Sequence, residues 1–285
     1  MMEMKFLERI PLARRLGPPV PTVAVIRFEG VIATRSQRAL NLRRFAGALE
    51  RAFKTRGLKA VALAINSPGG SPAQSALLYR RIRQLAAERS VPVIAFTEDV
   101  AASGGYWLAL AADEIYAEDT SLVGSIGVVT AGFGFVEAMS RLGIERRLFT
   151  AGENKSLLDP FLPEREDDVA RLKTLQRDLH DSFKDLVRER RGAKLKGDEA
   201  QLFSGEVFAG RRALGLGLID GIGDLRGVLR GMFGESVRLR LIEPDRRRRF
   251  ALTRLVPSFG ADAGDIAGDL LTRIEERLIW ARFGL

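Results

Sequence analysis

The chain of 285 residues contains no cysteine. Disulfides, a thiol nucleophile and a thiolate metal site are therefore excluded. It contains a single histidine, His180, so any triad built on an imidazole base would hang on one residue. No run of about 18 apolar residues occurs, and no transmembrane helix is expected. Lysine is scarce as well. Of 45 basic residues only eight are lysines, at positions 5, 54, 59, 155, 173, 184, 194 and 196.

What is present is ordinary for a globular chain with a sizeable core: 46% hydrophobic and 28% charged residues. The formal net charge is +9. Its sharpest cluster, Arg246 to Arg249, has no interleaved aromatic residue and matches no nucleic-acid motif. It reads as a solvated face rather than a lipid or nucleic-acid contact, and no nucleic-acid partner is expected. Residues 1–21 mix apolar and cationic side chains around Gly17-Pro18-Pro19 and lack the apolar core of a secretory signal. This arm reads either as a loosely packed terminus or as a contact with a membrane surface or partner subunit. The expected location is the cytoplasm, with peripheral contact at the inner face of the membrane left open.

Hydrophobic periodicity organises the rest. Thr22 to Phe28, Lys59 to Ile65 and Val91 to Phe96 are nearly unbroken apolar strands. Helical spacing separates them over Gln37 to Phe53 and Ala73 to Ala87. This alternation predicts βαβ units and a parallel sheet covered on both faces. A short strand is expected at Glu114 to Ala117, a helix over Val136 to Leu142, and an extended segment over Glu145 to Phe149. Arg165 to Arg190 is the strongest helix, with Leu172, Leu175, Leu179, Phe183 and Leu186 on one face. A strand near Val237 to Ile242 and an amphipathic helix around Ile266 to Trp280 follow. The expected domains are an arm (1–21), one α/β domain (22–242) and a basic segment with the terminal helix (243–285).

Candidate chemistry centres on Ser103, in Ala101-Ala102-Ser103-Gly104-Gly105-Tyr106 between a strand and a helix. Such a turn can hold a nucleophilic hydroxyl beside free N–H groups; a helix cap before a Gly-Gly turn explains it as well. His180 lies one residue round from the core-facing Leu179 and is expected to point to solvent. If Ser103 is a nucleophile, its base must be another group, and lysine is the usual alternative. Lys155, in Gly152-Glu153-Asn154-Lys155-Ser156, is the candidate, with a surface loop lysine as the competing reading. Ser67-Pro68-Gly69-Gly70 ends a buried strand and reads as a source of one oxyanion donor or as a plain strand-to-helix turn.

These segments, with Gly124-Ser125-Ile126-Gly127-Val128, occur in an order that resembles the signal peptide peptidase A family. Those enzymes are serine–lysine peptidases related in fold to the Clp protease and the crotonases. The likeness covers roughly Val23 to Leu229, and the separation of 52 residues between Ser103 and Lys155 is similar to the family's. The resemblance implies a Clp protease/crotonase-like α/β fold, a parallel sheet of repeated βαβ units with helical appendages. It implies that Ser103 is the nucleophile, Lys155 its base, Ser125 the serine that orients the lysine, and Gly70 and Gly104 the oxyanion donors. No cofactor or metal is implied. It further implies peptide substrates, small or unfolded and including remnant signal peptides, and a ring or dome of identical subunits that share active sites. The family's usual N-terminal membrane anchor has no counterpart in this sequence, which leaves signal-peptide clearance in question. Alternatives are a processing peptidase for a membrane-associated partner protein, a non-catalytic oligomeric scaffold, and a crotonase-like acyl-CoA enzyme, which would have little use for a Ser–Lys pair.

Overall fold

In the computed structural model, residues 20–34, 39–152, 154–244, 274 and 276–285 are described. The three apolar runs form β1 (Thr22–Glu29), β2 (Leu58–Ser67) and β3 (Val93–Ala102). Between them lie α1 (Leu42–Phe53) and α2 (Pro72–Arg89). The helices start where capping chemistry allows. Asn41 accepts from the Arg44 N–H at 3.0 Å, and Ser71 caps α2 with Pro72 behind it. α3 (Gly104–Ala109) follows β3 directly. β4 (Glu114–Ala117) and β5 (Leu122–Gly124) come next, then α4 (Val136–Arg141) and the long α5 (Glu166–Arg191). After them the chain forms α6 (Glu199–Leu202), β6 (Val207–Ala209), α7 (Gly210–Gly215), β7 (Gly221–Ile222), α8 (Leu225–Phe233) and β8 (Arg238–Leu241).

The described strands make one sheet in the order β6-β5-β3-β2-β1-β8, with β4 between β3 and β7. Every pairing is parallel except β5 with β6, as βαβ crossovers require. Side chains alternate between two faces. Ala24, Ile26, Phe28, Leu63 and Ile65 pack with α1 and α2, where Phe28 stacks on Phe45 at 4.6 Å. Val23, Val25, Ala62, Ile94 and Phe96 pack under Leu229 of α8 on the other face. Burying both faces explains why these strands read as continuous apolar runs rather than alternating ones.

Two features of β3 set the position of its C-terminal end. Its first half pairs with β4 and its second half with β5 (Ala102↔Gly124), so its end is fixed by a different neighbour from its start. Its ladder with β2 slips between Ile65↔Thr97 and Ser67↔Ala101. The Asn66 side chain fills the slip, donating to Asp99 at 2.6 Å and accepting from the Val100 N–H at 3.3 Å.

The other half of the chain departs from expectation in two places. Residues 145–149 form no strand; all are exposed, Phe149 at 90%, and they pair with no strand among the described residues. The apolar stripe of α5 is buried only in its second half, at Phe183 and Leu186, whereas Leu175 and Leu179 are 51% and 43% exposed. Between 128 and 167 no described residue is buried. The basic cluster at 246–249, most of the N-terminal arm and residues 266–273 of the expected terminal helix lie outside the described residues. No helix among the described residues is long and apolar enough to cross a membrane.

Candidate active site

Ser103 occupies the turn between β3 and α3 with φ 51 and ψ −120. A non-glycine residue there carries backbone strain of order 1–3 kcal/mol, which persists only where the surroundings enforce it. Those surroundings are the Ser103 N–H, bonded to the Gly124 carbonyl at 2.8 Å, and the Ser103 carbonyl, which takes the Trp107 N–H at 3.0 Å. The hydroxyl makes no capping bond to α3. The half-buried side chain therefore does not act as a helix cap.

The Gly69-Gly70 turn lies against this serine. A β-carbon built on Gly69 would stand 2.8 Å from Ser103 Cβ and 2.7 Å from the Gly104 nitrogen. Gly70, at φ 137, passes so close to Ile32 that a β-carbon would meet its carbonyl oxygen at 2.1 Å; only glycine fits. The Ile32 N–H donates to Gly69 O at 2.8 Å and the Ser71 N–H to Ile32 O at 2.7 Å, which grips the residues on either side of Gly70. The N–H groups of Gly70 and Gly104 have no partner among the described residues. They are neighbours, since a β-carbon on Gly104 would lie 3.3 Å from the Gly70 nitrogen and 2.5 Å from Ser75 Oγ. Two unpaired donors beside a free hydroxyl can receive an oxyanion. Ser75, fully buried, donates to Ser71 O at 2.9 Å and backs Gly104; its position on an apolar helical face gives no sign of this.

Ser125 follows β5 and is the next residue after the carbonyl that holds the Ser103 N–H. It too has positive φ, 51. Its N–H donates to Glu206 O at 2.8 Å, and its carbonyl accepts from the Gly127 N–H at 2.9 Å. Its hydroxyl has no hydrogen-bond partner among the described residues.

Ser103, Ser125, Gly70 and Gly104 are thus gathered at the ends of β2, β3 and β5. Lys155 makes no hydrogen bond to any of them among the described residues. It is exposed, in a turn where the Lys155 N–H donates to Gly152 O at 3.3 Å. No hydrogen bond or ion pair of its amine is present among the described residues. Its turn is braced by an arm with its own small cluster. Phe135 stacks on Phe161 at 5.5 Å, Arg146 lies over Phe161 at 4.9 Å, and Arg146 pairs with Asp159, whose side chain is 8% exposed. Arg146 holds the Asp159 carboxyl below its ordinary pKa, helped by the Phe161 N–H.

His180 is not the solvent-facing residue expected from its position. Its ring donates from Nε2 to the Ile126 carbonyl at 3.0 Å and is half-buried. The turn of α5 that carries it meets the 126–130 segment, a tertiary contact that helical periodicity does not reveal.

The sheet order, the sharp turn carrying Ser103 and the glycine loop beside it define an α/β fold of the Clp protease/crotonase type. The Peptidase family S49 profile matches residues 86–235, more than half of the chain. The chain belongs to peptidase family S49. It is 49% identical, over 96% of its length, to a Brucella abortus protein named Na(+)/H(+) antiporter NhaA, of which it spans 38%. It is 36% identical, over 59% of its length, to the serine protease SPPA, chloroplastic, of Arabidopsis thaliana, of which the match spans 24%. The chain thus covers well under two thirds of either relative. Among solved structures, a K138A mutant of the 1510-N membrane-bound stomatin-specific protease in complex with a substrate peptide shares the fold. Its TM-score is 0.51 at 17% identity, over 80% of this chain and 94% of that one.

Proposed function

We propose that this chain is a serine endopeptidase whose nucleophile is Ser103 and whose base is Lys155 supplied by a neighbouring copy. The observation that carries the first part is the strained Ser103 turn, with its hydroxyl free of any capping bond and the unpaired Gly70 and Gly104 N–H groups beside it. The second part is supported by Lys155 lying on an exposed arm, with no bond to Ser103 among the described residues, in a region where Phe133, Leu142 and Phe149 are largely exposed.

In this reading Ser103 Oγ attacks the carbonyl carbon of the scissile peptide while its proton passes to the neutral Lys155 amine. The oxyanion of the tetrahedral intermediate accepts from Gly70 and Gly104. The intermediate collapses as the lysine returns the proton to the departing amine. Water, deprotonated by the same lysine, then adds to the acyl carbon, and the lysine passes that proton to Ser103 Oγ as the ester bond breaks, releasing the acid and restoring both side chains. Ser125 gives the neutral amine a hydrogen-bond partner. A seated neighbour also removes water from Lys155, and burial favours the uncharged amine. Substrates are small or unfolded peptides with small or apolar residues near the cut, remnant signal peptides among them.

A second reading, processing of a membrane-associated partner protein, draws support from the Brucella relatives, where the matching stretch is part of a longer chain named for an antiporter.

The test compares wild type, Ser103→Ala and Lys155→Ala on fluorogenic peptides. Each variant is expected to lose at least about a thousandfold in kcat while keeping its fold. Mixing the two inactive variants under subunit exchange is expected to regain activity, because some interfaces then join an intact Ser103 to an intact Lys155. Activity surviving in either variant refutes the dyad. Folded but inactive wild-type oligomers favour the scaffold.

A further inference from the structure

We propose that His180 is a positioning residue for the proposed site: its Nε2–H holds the Ile126 carbonyl and thereby fixes the Ser125 turn. The idea rests on the Ser103–Lys155 reading. Three observations carry it. The ring bonds the carbonyl of the residue directly after Ser125 at 3.0 Å. One helical turn earlier on α5, Gln176 donates to Thr130 Oγ1 at 3.2 Å, so two donors on one helix face clamp the 126–130 segment. The clamp sits where local bonding is thin: among the described residues, 128–134 make no backbone hydrogen bond, and the Gly127 N–H makes only the narrow turn to Ser125 O.

The geometry links His180 to the nucleophile through the chain. Gly124, Ser125 and Ile126 are consecutive; the first holds the Ser103 N–H, the second carries the hydroxyl proposed to orient the lysine, and the third is held by the ring. Ser125 at φ 51 is strained, and a strained turn relaxes unless its neighbours are fixed. Behind the clamp runs an open groove of about 590 Å³ between Val128 and α5, rimmed by Lys173 and Arg177. Without the ring bond, residues 126–130 have room to swing toward it. The charged groups near the ring are Lys173, Arg177, Asp181 and Lys184 of its own helix; residues 126–130 carry no titratable side chain.

The experiment uses three substitutions in the assembled protein. His180→Gln keeps a donor where Nε2 stood, His180→Asn places its donor too short to reach, and His180→Phe keeps the ring without a donor. The expected result is near-wild-type kcat for H180Q and a loss of roughly five- to tenfold for H180N and H180F, with KM little changed. The acidic limb of the kcat/KM profile is expected to move to higher pH in H180N and H180F, because a loosened Ser125 leaves the lysine better solvated and easier to protonate. It should stay in place for H180Q, which also shows that the limb is not the imidazole's own titration. Equal activity in H180Q and H180N, or equal losses tracking a lowered Tm with an unmoved limb, overturns the proposal. S103A and K155A run alongside keep the two ideas apart: if they are inactive while all three His180 variants match wild type, only the positioning role falls.

Discussion

The two members of the proposed dyad sit in regions of opposite physical character. Residues 22–127 hold most of the buried core, and Ser103 is fixed there by strands on both sides. Residues 128–167 contain no buried described residue, yet Phe133, Leu142 and Phe149 stand 81%, 71% and 90% exposed. Apolar surface on that scale is what an obligate partner covers, and a second copy of the chain is the partner that would bring a lysine. In the proposed reading, one half of the site is a property of the fold and the other half a property of the assembly.

The sharpest way to break the comparison is to make like changes in both regions. Phe28→Ala removes a fully buried ring stacked on Phe45 and is expected to cost about 3–5 kcal/mol, enough to unfold much of the chain. Phe133→Asp with Phe149→Asp touches rings that face solvent, and the subunit's thermal unfolding should barely move. Size-exclusion chromatography should nonetheless show a smaller species, and peptidase activity should fall by at least about a hundredfold as the base leaves with the partner. An arm variant that unfolds instead would show that the arm packs on its own chain.

Within the core the comparison narrows to the proposed oxyanion donors. Gly104→Ala places a β-carbon 2.5 Å from Ser75 Oγ and 3.1 Å from Ile32 Cδ1. The helix start must shift, and with it the Gly104 N–H; a loss of about 10²–10³ in kcat with little change in KM is expected. Adding Ser75→Ala removes the nearest clash and should recover part of that loss. No recovery would mean that the donor is displaced by something other than this contact.

The same division governs what the amino-acid order reveals. β1, β2 and β3 are legible because a strand buried on both faces must be apolar throughout, and the Ser103 turn is legible because Gly104-Gly105 and Gly69-Gly70 mark a close backbone approach. Residues 145–149 look extended and pair with nothing, since strand propensity without a neighbouring edge makes no strand. Leu175 and Leu179 obey helical spacing and still face solvent, because periodicity says which face is apolar but not what covers it. The bond from His180 to Ile126 and the packing of Ser75 behind Gly104 come from tertiary contact alone. Lys155 stands out only because the lone histidine leaves no other common base and because of the family likeness; sequence spacing does not tell whether it reaches Ser103 within one chain.

The smallest expected effect belongs to a charge cluster that ties the core to the second half of α5. Asp220 accepts from Arg191 at 2.7 and 3.1 Å, from Lys194 at 2.7 Å and from the Ile115 N–H at 2.8 Å. Burial works to raise its pKa, but Arg191, Lys194 and the backbone donor outweigh it and leave the carboxyl below its ordinary value. A carboxylate more acidic in the folded state than in the unfolded one stabilises the fold above the unfolded pKa, and that contribution fades as pH falls through the folded value. Asp220→Asn is therefore expected to lower Tm by several degrees at pH 7, since it leaves the guanidinium of Arg191, 2% exposed, without its counter-charge. The gap between variant and wild type should narrow below about pH 4, where the carboxyl of the unfolded chain begins to protonate while the folded one, held more acidic, does not. A gap that stays constant from pH 7 to pH 3 would assign the cluster's effect to shape rather than charge. Either way, Ser103→Ala combined with Asp220→Asn should show additive Tm changes, because a core anchored on α5 and a nucleophile held by β3 and β5 share no direct bond.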